Sequence, residues 1–164
     1  MYSKLQELLA AGKWKEANQE TRTIMLEAAG QKKDDWGLDV EKVPDIVLYA
    51  IDDYWTKYSN NHFGFSVQRD IWEEYHSNNP QEYSFLTTIG WGYPYISDSY
   101  FYYERNPNRS QGKKLFSLQA PRGHLPMLRE WDISSVDEHY YHLAGPAMEK
   151  SMFSFFARIP KKEE

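Results

Sequence analysis

The groups in this chain best suited to chemistry are cations and rings. Arg105, Arg109, Lys113, Lys114, Arg122 and Arg129 are six bases in a stretch that holds no acid. Just before them, Trp91, Tyr93, Tyr95, Tyr100, Phe101, Tyr102 and Tyr103 crowd a short segment with aromatic side chains. Rings can stack on a flat apolar body, and guanidinium groups pair with carboxylates through two parallel hydrogen bonds. The pattern therefore suits a planar ligand with carboxylate arms. It also suits a solvated basic loop beside ordinary core aromatics, because charge clusters are common on protein surfaces. A second pair of rings, Phe63 and Phe65, flanks Gly64. A glycine there marks a bend that a Cβ would resist. The two rings are expected on a loop held by helices on both sides, displayed to a ligand or a partner surface. Closure of the core beneath that loop is the alternative.

Other reactive groups carry less. His139 and His142 stand three apart beside Asp137 and Glu138. A zinc site would want a further ligand and a supporting shell, so an exposed polar helix is the plainer reading. Asp52-Asp53 offers an acid and a base, but nothing points to a nucleophile or an oxyanion site. One of the two is expected to bond to the loop after its helix or to solvent. His124, in Gly-His-Leu-Pro, could be an axial ligand to a metal in a macrocycle or could fix a sharp bend. Phosphate loops, His-Glu-x-x-His and the nucleophile elbow are all absent. No catalysis is expected.

The elements that must position these groups are mostly helical. Leu5, Leu8 and Leu9 predict a short helix ending at Gly12, and Trp14, Ala17, Thr21, Ile24 and Ala28 a second ending at Ala28-Ala29-Gly30. Residues 31–43 read as a polar loop. Pro44 suits a first helical position. Val47, Ala50, Ile51, Tyr54, Trp55 and Tyr58 then recur at helical spacing, which predicts the central helix. Ser66 is the expected N-cap of the next helix, lined by Val67, Ile71 and Tyr75 and stopped by Asn78-Asn79-Pro80. Tyr83, Phe85 and Leu86 suggest one more turn. No helical period survives from Gly90 to Pro126, and so long an irregular stretch is usually functional. Within it, Tyr100–Tyr103 could pair with Lys114–Leu118. Ser135 and Glu138 resemble a capping box for a helix through Leu143. A last helix is expected around Ala147–Phe155.

Composition bounds the rest. The 164 residues suit one domain over 1–164. Without cysteine there is no disulfide framework and no thiolate site. A net charge of -5 argues against general nucleic-acid binding, which needs many phosphate-neutralising cations. No stretch looks long and apolar enough to span a bilayer, and the first residues lack a secretory or transit pattern. A cytoplasmic protein is expected, with peripheral membrane association as the alternative.

Phe63-Gly64-Phe65-Ser66-Val67-Gln68, followed by Ile71-Trp72, resembles the central motif of the Genomes-Uncoupled-Four family, porphyrin-binding regulators of magnesium chelatase. Companion stretches agree in order. Leu5, Leu8, Leu9, Trp14, Ala17 and Thr21 resemble the opening helix pair, and Pro44, Leu48, Ile51, Asp52, Trp55, Tyr58 and Ser59 the helix before the motif. Gly90-Trp91 and Ala120-Pro121-Arg122-Gly123-His124-Leu125-Pro126 resemble later landmarks. The resemblance implies a mostly α, cupped-hand domain with a long aromatic and basic loop region and at most a short hairpin. It implies a non-catalytic protein that binds protoporphyrin IX or Mg-protoporphyrin IX and supports magnesium chelatase in chlorophyll synthesis, with the chelatase's porphyrin-binding large subunit as partner. A paralogue binding a linear bilin, or a ligand-free interaction module, is the alternative. The implied ligand-binding residues are Trp55, Phe63, Phe65, Trp91, Tyr95, Tyr102, Arg105, Arg109, Lys113, Lys114, Phe116, Leu118, Arg122, His124, Leu125 and Arg129. The chain departs from the family pattern at Asn18, where Asp is usual, and at Gly92, where a base is common. Tyr93–Lys114 is longer and richer in tyrosine than usual. After Pro126 the resemblance fades, with Arg129 the one nearby base. Too little chain precedes Leu5 for the extra helical bundle of some cyanobacterial members.

Overall fold

Two Schellman turns shape the start of the chain in the computed structural model, which describes residues 2–33, 37–78, 85, 88–91, 93–97, 100–104, 115–127 and 152–161. Helix α1 is Ser3–Ala10 and helix α2 is Trp14–Ala28. After α1, the Gly12 N–H donates to Leu9 O (3.0 Å) and the Lys13 N–H to Leu8 O (2.9 Å). After α2, Gly30 and Gln31 make the same bonds to Glu27 and Leu26. Each pattern satisfies carbonyls that a helix end leaves open, and each needs a left-handed residue at the glycine. The first turn joins α1 directly to α2, and the two helices pack on each other. Trp14, Ala17, Thr21 and Ile24 form the inward stripe of α2, as their spacing predicts.

The chain then crosses to α3, Asp45–Ser59. Pro44 sits one residue ahead of the helix, not at its first position as expected; its carbonyl accepts from the Val47 and Leu48 N–H groups. The stretch before it is less loop-like than its polarity implies. It contains a 3-10 turn, Val40–Lys42, and buries Leu38, Val40 and Val43. Helix α3 is the central element. Leu48, Ile51 and Trp55 expose no surface, and α1, α2 and α4 all pack against it. The Trp55 indole N–H would be costly to bury alone; it donates to Thr21 Oγ1 at 2.9 Å, which ties α3 to α2.

Helix α4, Phe65–Asn78, follows after a tight corner and ends where the Asn-Asn-Pro signal places it. Phe85, in a helical position, is buried against Trp72 and Trp91. Beyond it lies an antiparallel hairpin: β1 (Tyr93–Ser97) pairs with β2 (Tyr100–Glu104), Tyr95 opposite Tyr102. This corrects the expected pairing of Tyr100–Tyr103 with Lys114–Leu118. Ser97 faces Tyr100 across a two-residue connection, whereas the expected partner required a far longer loop. Shorter loops cost less to close, and two-residue connections are the commonest in hairpins. Residues 115–119 form turns. The mostly helical class with one short hairpin holds.

A last helical segment, 152–157, completes the core. Met152, Phe155, Phe156 and Ile159 are buried. Phe155 meets Phe65 edge to face at 5.0 Å, and Phe156 packs on Trp72 and Phe85 at 5.7 Å from each. Two arginines fix this segment at its end. Arg69 of α4 is buried and donates Nη1–H to Ile159 O (2.8 Å). Arg158 donates to the Val40 and Val43 carbonyls and pairs with Asp45. The expected helix over 135–143, with His139 and His142, lies outside the described residues.

Candidate functional site

The corner between α3 and α4 builds the site. Asn60 and Asn61 turn the chain with φ of 54° and 57°. At Gly64 φ is 138°, and a Cβ there would meet Thr56 Cγ2 at 2.6 Å and Asp52 Oδ1 at 2.7 Å. Only glycine lets α4 begin this close to the side of α3. The proximity changes which residue caps α4. Ser66, the expected N-cap, lies inside the first turn; its N–H donates to Asp52 Oδ1 at 2.9 Å. The cap comes from the preceding helix, across the corner, and the carboxylate also meets the positive end of the α4 dipole. The Asp52-Asp53 pair is expected to bond to the loop after its helix or to solvent; the bond formed lies just past that loop, in the first turn of α4.

The rings flanking Gly64 are not displayed. Phe63 and Phe65 are both fully buried. Phe63 packs edge-on to Trp14 (5.5 Å) and Trp55 (6.2 Å), and Phe65 meets Phe155. The expectation of two exposed rings is corrected. With helices on both sides of a sharp corner, each ring enters the core on its own side of the bend.

What the corner does present is backbone and polar side chain, and a second segment, 120–127, docks there. The Gly123 N–H donates to His62 O and the Gly64 N–H to Leu125 O, each at 2.9 Å. His62 Nε2–H donates to Ala120 O at 2.8 Å. Gln68, fully buried on α4, donates from Nε2 to both Gly123 O and Pro126 O at 2.9 Å. The Leu125–Pro126 peptide is cis. On the far side, His124 Nδ1–H donates to Ile89 O (2.7 Å), and the Trp91 indole N–H donates to His124 O (2.8 Å). Gly123 and Gly90 both have positive φ, and a Cβ on either would press against neighbours at 2.9 Å. Phe-Gly-Phe-Ser-Val-Gln, Gly-Trp and Gly-His-Leu-Pro therefore meet in space as one hydrogen-bonded joint.

The residues named from sequence divide accordingly. Trp55, Phe63, Phe65, Trp91, His124 and Leu125 are buried parts of the joint and the core beneath it. His124 is 1% exposed, which leaves its ring no open face toward a macrocycle. Phe116 is half-buried, Arg122 is exposed, and Leu118 is 53% exposed. Tyr95 and Tyr102 are partners across the hairpin. Arg105, Arg109, Lys113, Lys114 and Arg129 lie outside the described residues. Asn18, His62 and Gln68 were not anticipated. Gln68 had one legible sign: a polar residue beside Val67 on a helix whose buried stripe includes Ile71. No described group of three or more His, Asp or Glu side chains could hold a metal, and no described helix is long and apolar enough to cross a membrane.

Comparison with known proteins agrees with this arrangement. The profile of the GUN4-like family matches residues 1–142. A Ycf53-like protein of Synechocystis sp. is 33% identical over 145 residues, 85% of this chain and 56% of that protein. A chloroplastic tetrapyrrole-binding protein of Arabidopsis thaliana is 25% identical over 131 residues, 77% of this chain and 48% of that protein. The chain thus spans about half the length of the curated relatives it matches. Among solved structures, GUN4 from Chlamydomonas reinhardtii aligns with a TM-score of 0.58 and 27% identity, covering 82% of this chain and 84% of that one. The match of the family profile over most of the chain, through every piece of the joint, makes this protein a member of the GUN4-like family.

Proposed function

We propose that this chain binds a tetrapyrrole, protoporphyrin IX or its magnesium form, and delivers it to magnesium chelatase through the chelatase's porphyrin-binding large subunit. The observation that carries the reading is the segment 115–127. It carries half-buried Phe116, exposed Leu118 and exposed Arg122 within a few residues of the joint, whose own rings are committed to the core. Apolar side chains and a cation on one short segment suit a planar ligand with carboxylate arms. Membership of the family and similarity to the tetrapyrrole-binding protein of Arabidopsis support the same ligand class. Arg105, Arg109, Lys113, Lys114 and Arg129 belong to this proposal as further carboxylate partners, and Tyr95 and Tyr102 as further rings.

Magnitudes say why both kinds of group are needed. Burying roughly 300 Å² of macrocycle at about 25 cal/mol per Å² gives on the order of 7 kcal/mol. Lost translational and rotational freedom takes back about 4 kcal/mol or more. Arginine–carboxylate bonds of roughly 1.5–3 kcal/mol each then bring affinity into the micromolar range. The test is a Soret-band and tryptophan-fluorescence titration with protoporphyrin. Saturation near one ligand per chain is expected. Unchanged spectra through high micromolar ligand would refute porphyrin binding. A bilin that saturates where porphyrin does not would assign the linear ligand instead.

A further inference from the structure

We infer that Asn18 is a positioning residue for ligand recognition: from α2 it clamps Met127 and so fixes where Arg122, five residues earlier, is presented. The inference rests on the tetrapyrrole reading above and adds a residue to it. Asn18 Nδ2–H donates to Met127 O at 3.1 Å, and the Met127 N–H donates to Asn18 Oδ1 at 2.7 Å. The two bonds close a ring between one side-chain amide and the backbone N–H and C=O of one residue. They span 109 positions in the chain. A primary amide carries a donor and an acceptor side by side; a carboxylate offers acceptors alone, and an apolar side chain offers neither. The pair therefore fixes both the position and the orientation of the Met127 backbone.

The clamp completes a set of anchors on three sides. Gln68 and the His62 backbone hold Gly123 from α4 and the corner, and Ile89 and Trp91 hold His124. Asn18 ties the α1–α2 pair to this segment. Arg122 is next to Gly123 and is itself exposed. Its guanidinium is on a flexible stem, so the carboxylate it can reach depends on how firmly the backbone beneath it is held. When the segment is only fractionally in its binding geometry, apparent affinity falls by that fraction.

The experiment combines ligand titration with amide hydrogen exchange on the whole chain, using protoporphyrin IX as the probe. Asn18→Leu removes both bonds at similar volume, and Asn18→Asp keeps the Met127 N–H bond alone. Asn18→Leu is expected to raise the Kd about fivefold or more, and Asn18→Asp by less. In an Arg122→Gln background, Asn18→Leu should change the Kd by less than about twofold, because the clamp acts through the presentation of Arg122. In ligand-free protein, exchange at Met127, Gly123 and Gly64 should quicken in Asn18→Leu while amides of α3 keep their protection. Equal loss of affinity with and without Arg122 would overturn the positioning role, as would unchanged exchange at Met127. If the Leu variant unfolds, the Asp variant carries the same comparison. A wild-type chain that gives no Soret change would refute tetrapyrrole binding, and the exchange data would then decide the clamp alone.

Discussion

At the scale of single residues, the rings of the Phe-Gly-Phe motif are structural. Phe63→Ala and Phe65→Ala are each expected to cost about 3–5 kcal/mol of stability, the range for large aromatic truncations in a core. Thermal or urea unfolding without ligand measures this, and a loss below about 1 kcal/mol would return the rings to a ligand role. Gly64→Ala is expected to destabilise as well. It would place a left-handed-region strain of about 1–3 kcal/mol on top of contacts of 2.6 and 2.7 Å with Thr56 and Asp52. Sequence reading found these residues but misjudged their direction. Gly64 was legible as a bend, yet a bend alone does not say which way its neighbours face. That depends on Trp14, Trp55 and Phe155, brought in from distant parts of the chain.

At the scale of elements, the helices were readable because each carries its own period and its own stop. Leu5 and Leu9, the Trp14–Ile24 stripe and the Asn-Asn-Pro ending are local signals, and the structure honours them. The cap of α4 was not local. Ser66 fits the rule for an N-cap by type, but Asp52 takes the role from the helix before it. Asp52→Ala is expected to destabilise by about 1–2 kcal/mol, and Asp52→Asn, which keeps an acceptor, by less. Chemical denaturation of both variants checks the order, and equal loss would place the effect in charge rather than in the hydrogen bond. The hairpin partner was also beyond local reading, since tyrosine-rich and Lys-Leu-Phe stretches are both acceptable strand formers.

At the scale of the whole molecule, the profile match ends at residue 142, but the packed core does not. Met152, Phe155, Phe156 and Ile159 close it, and Arg69 and Arg158 seat them. A chain ended after residue 142 is expected to lose cooperative unfolding, because Phe65, Trp72 and Phe85 would each lose an aromatic neighbour. Calorimetry distinguishes this from a dispensable tail, which would leave the transition intact. The proposed ligand rim gives a second expectation at this scale. Exposed ion pairs are screened by salt, so porphyrin affinity should fall as ionic strength rises. Esterifying the propionates should weaken binding and flatten that dependence; an ester that binds as well as the free acid would leave recognition to the apolar groups.

Most of the hydrogen bonds described for the docked segment use its backbone. Ala120, Gly123, Leu125, Pro126 and Met127 offer carbonyls or N–H groups to the corner and to two helices, and the side chains of Arg122 and Leu118 take no part in those bonds. Support and display are thus carried by different residues of the same segment. A lineage could exchange the displayed side chains, altering what is recognised, while the mounting stays unchanged. The same separation offers an experimenter a place to graft new recognition groups: positions 118 and 122 can be varied together as a library without touching the frame that holds them.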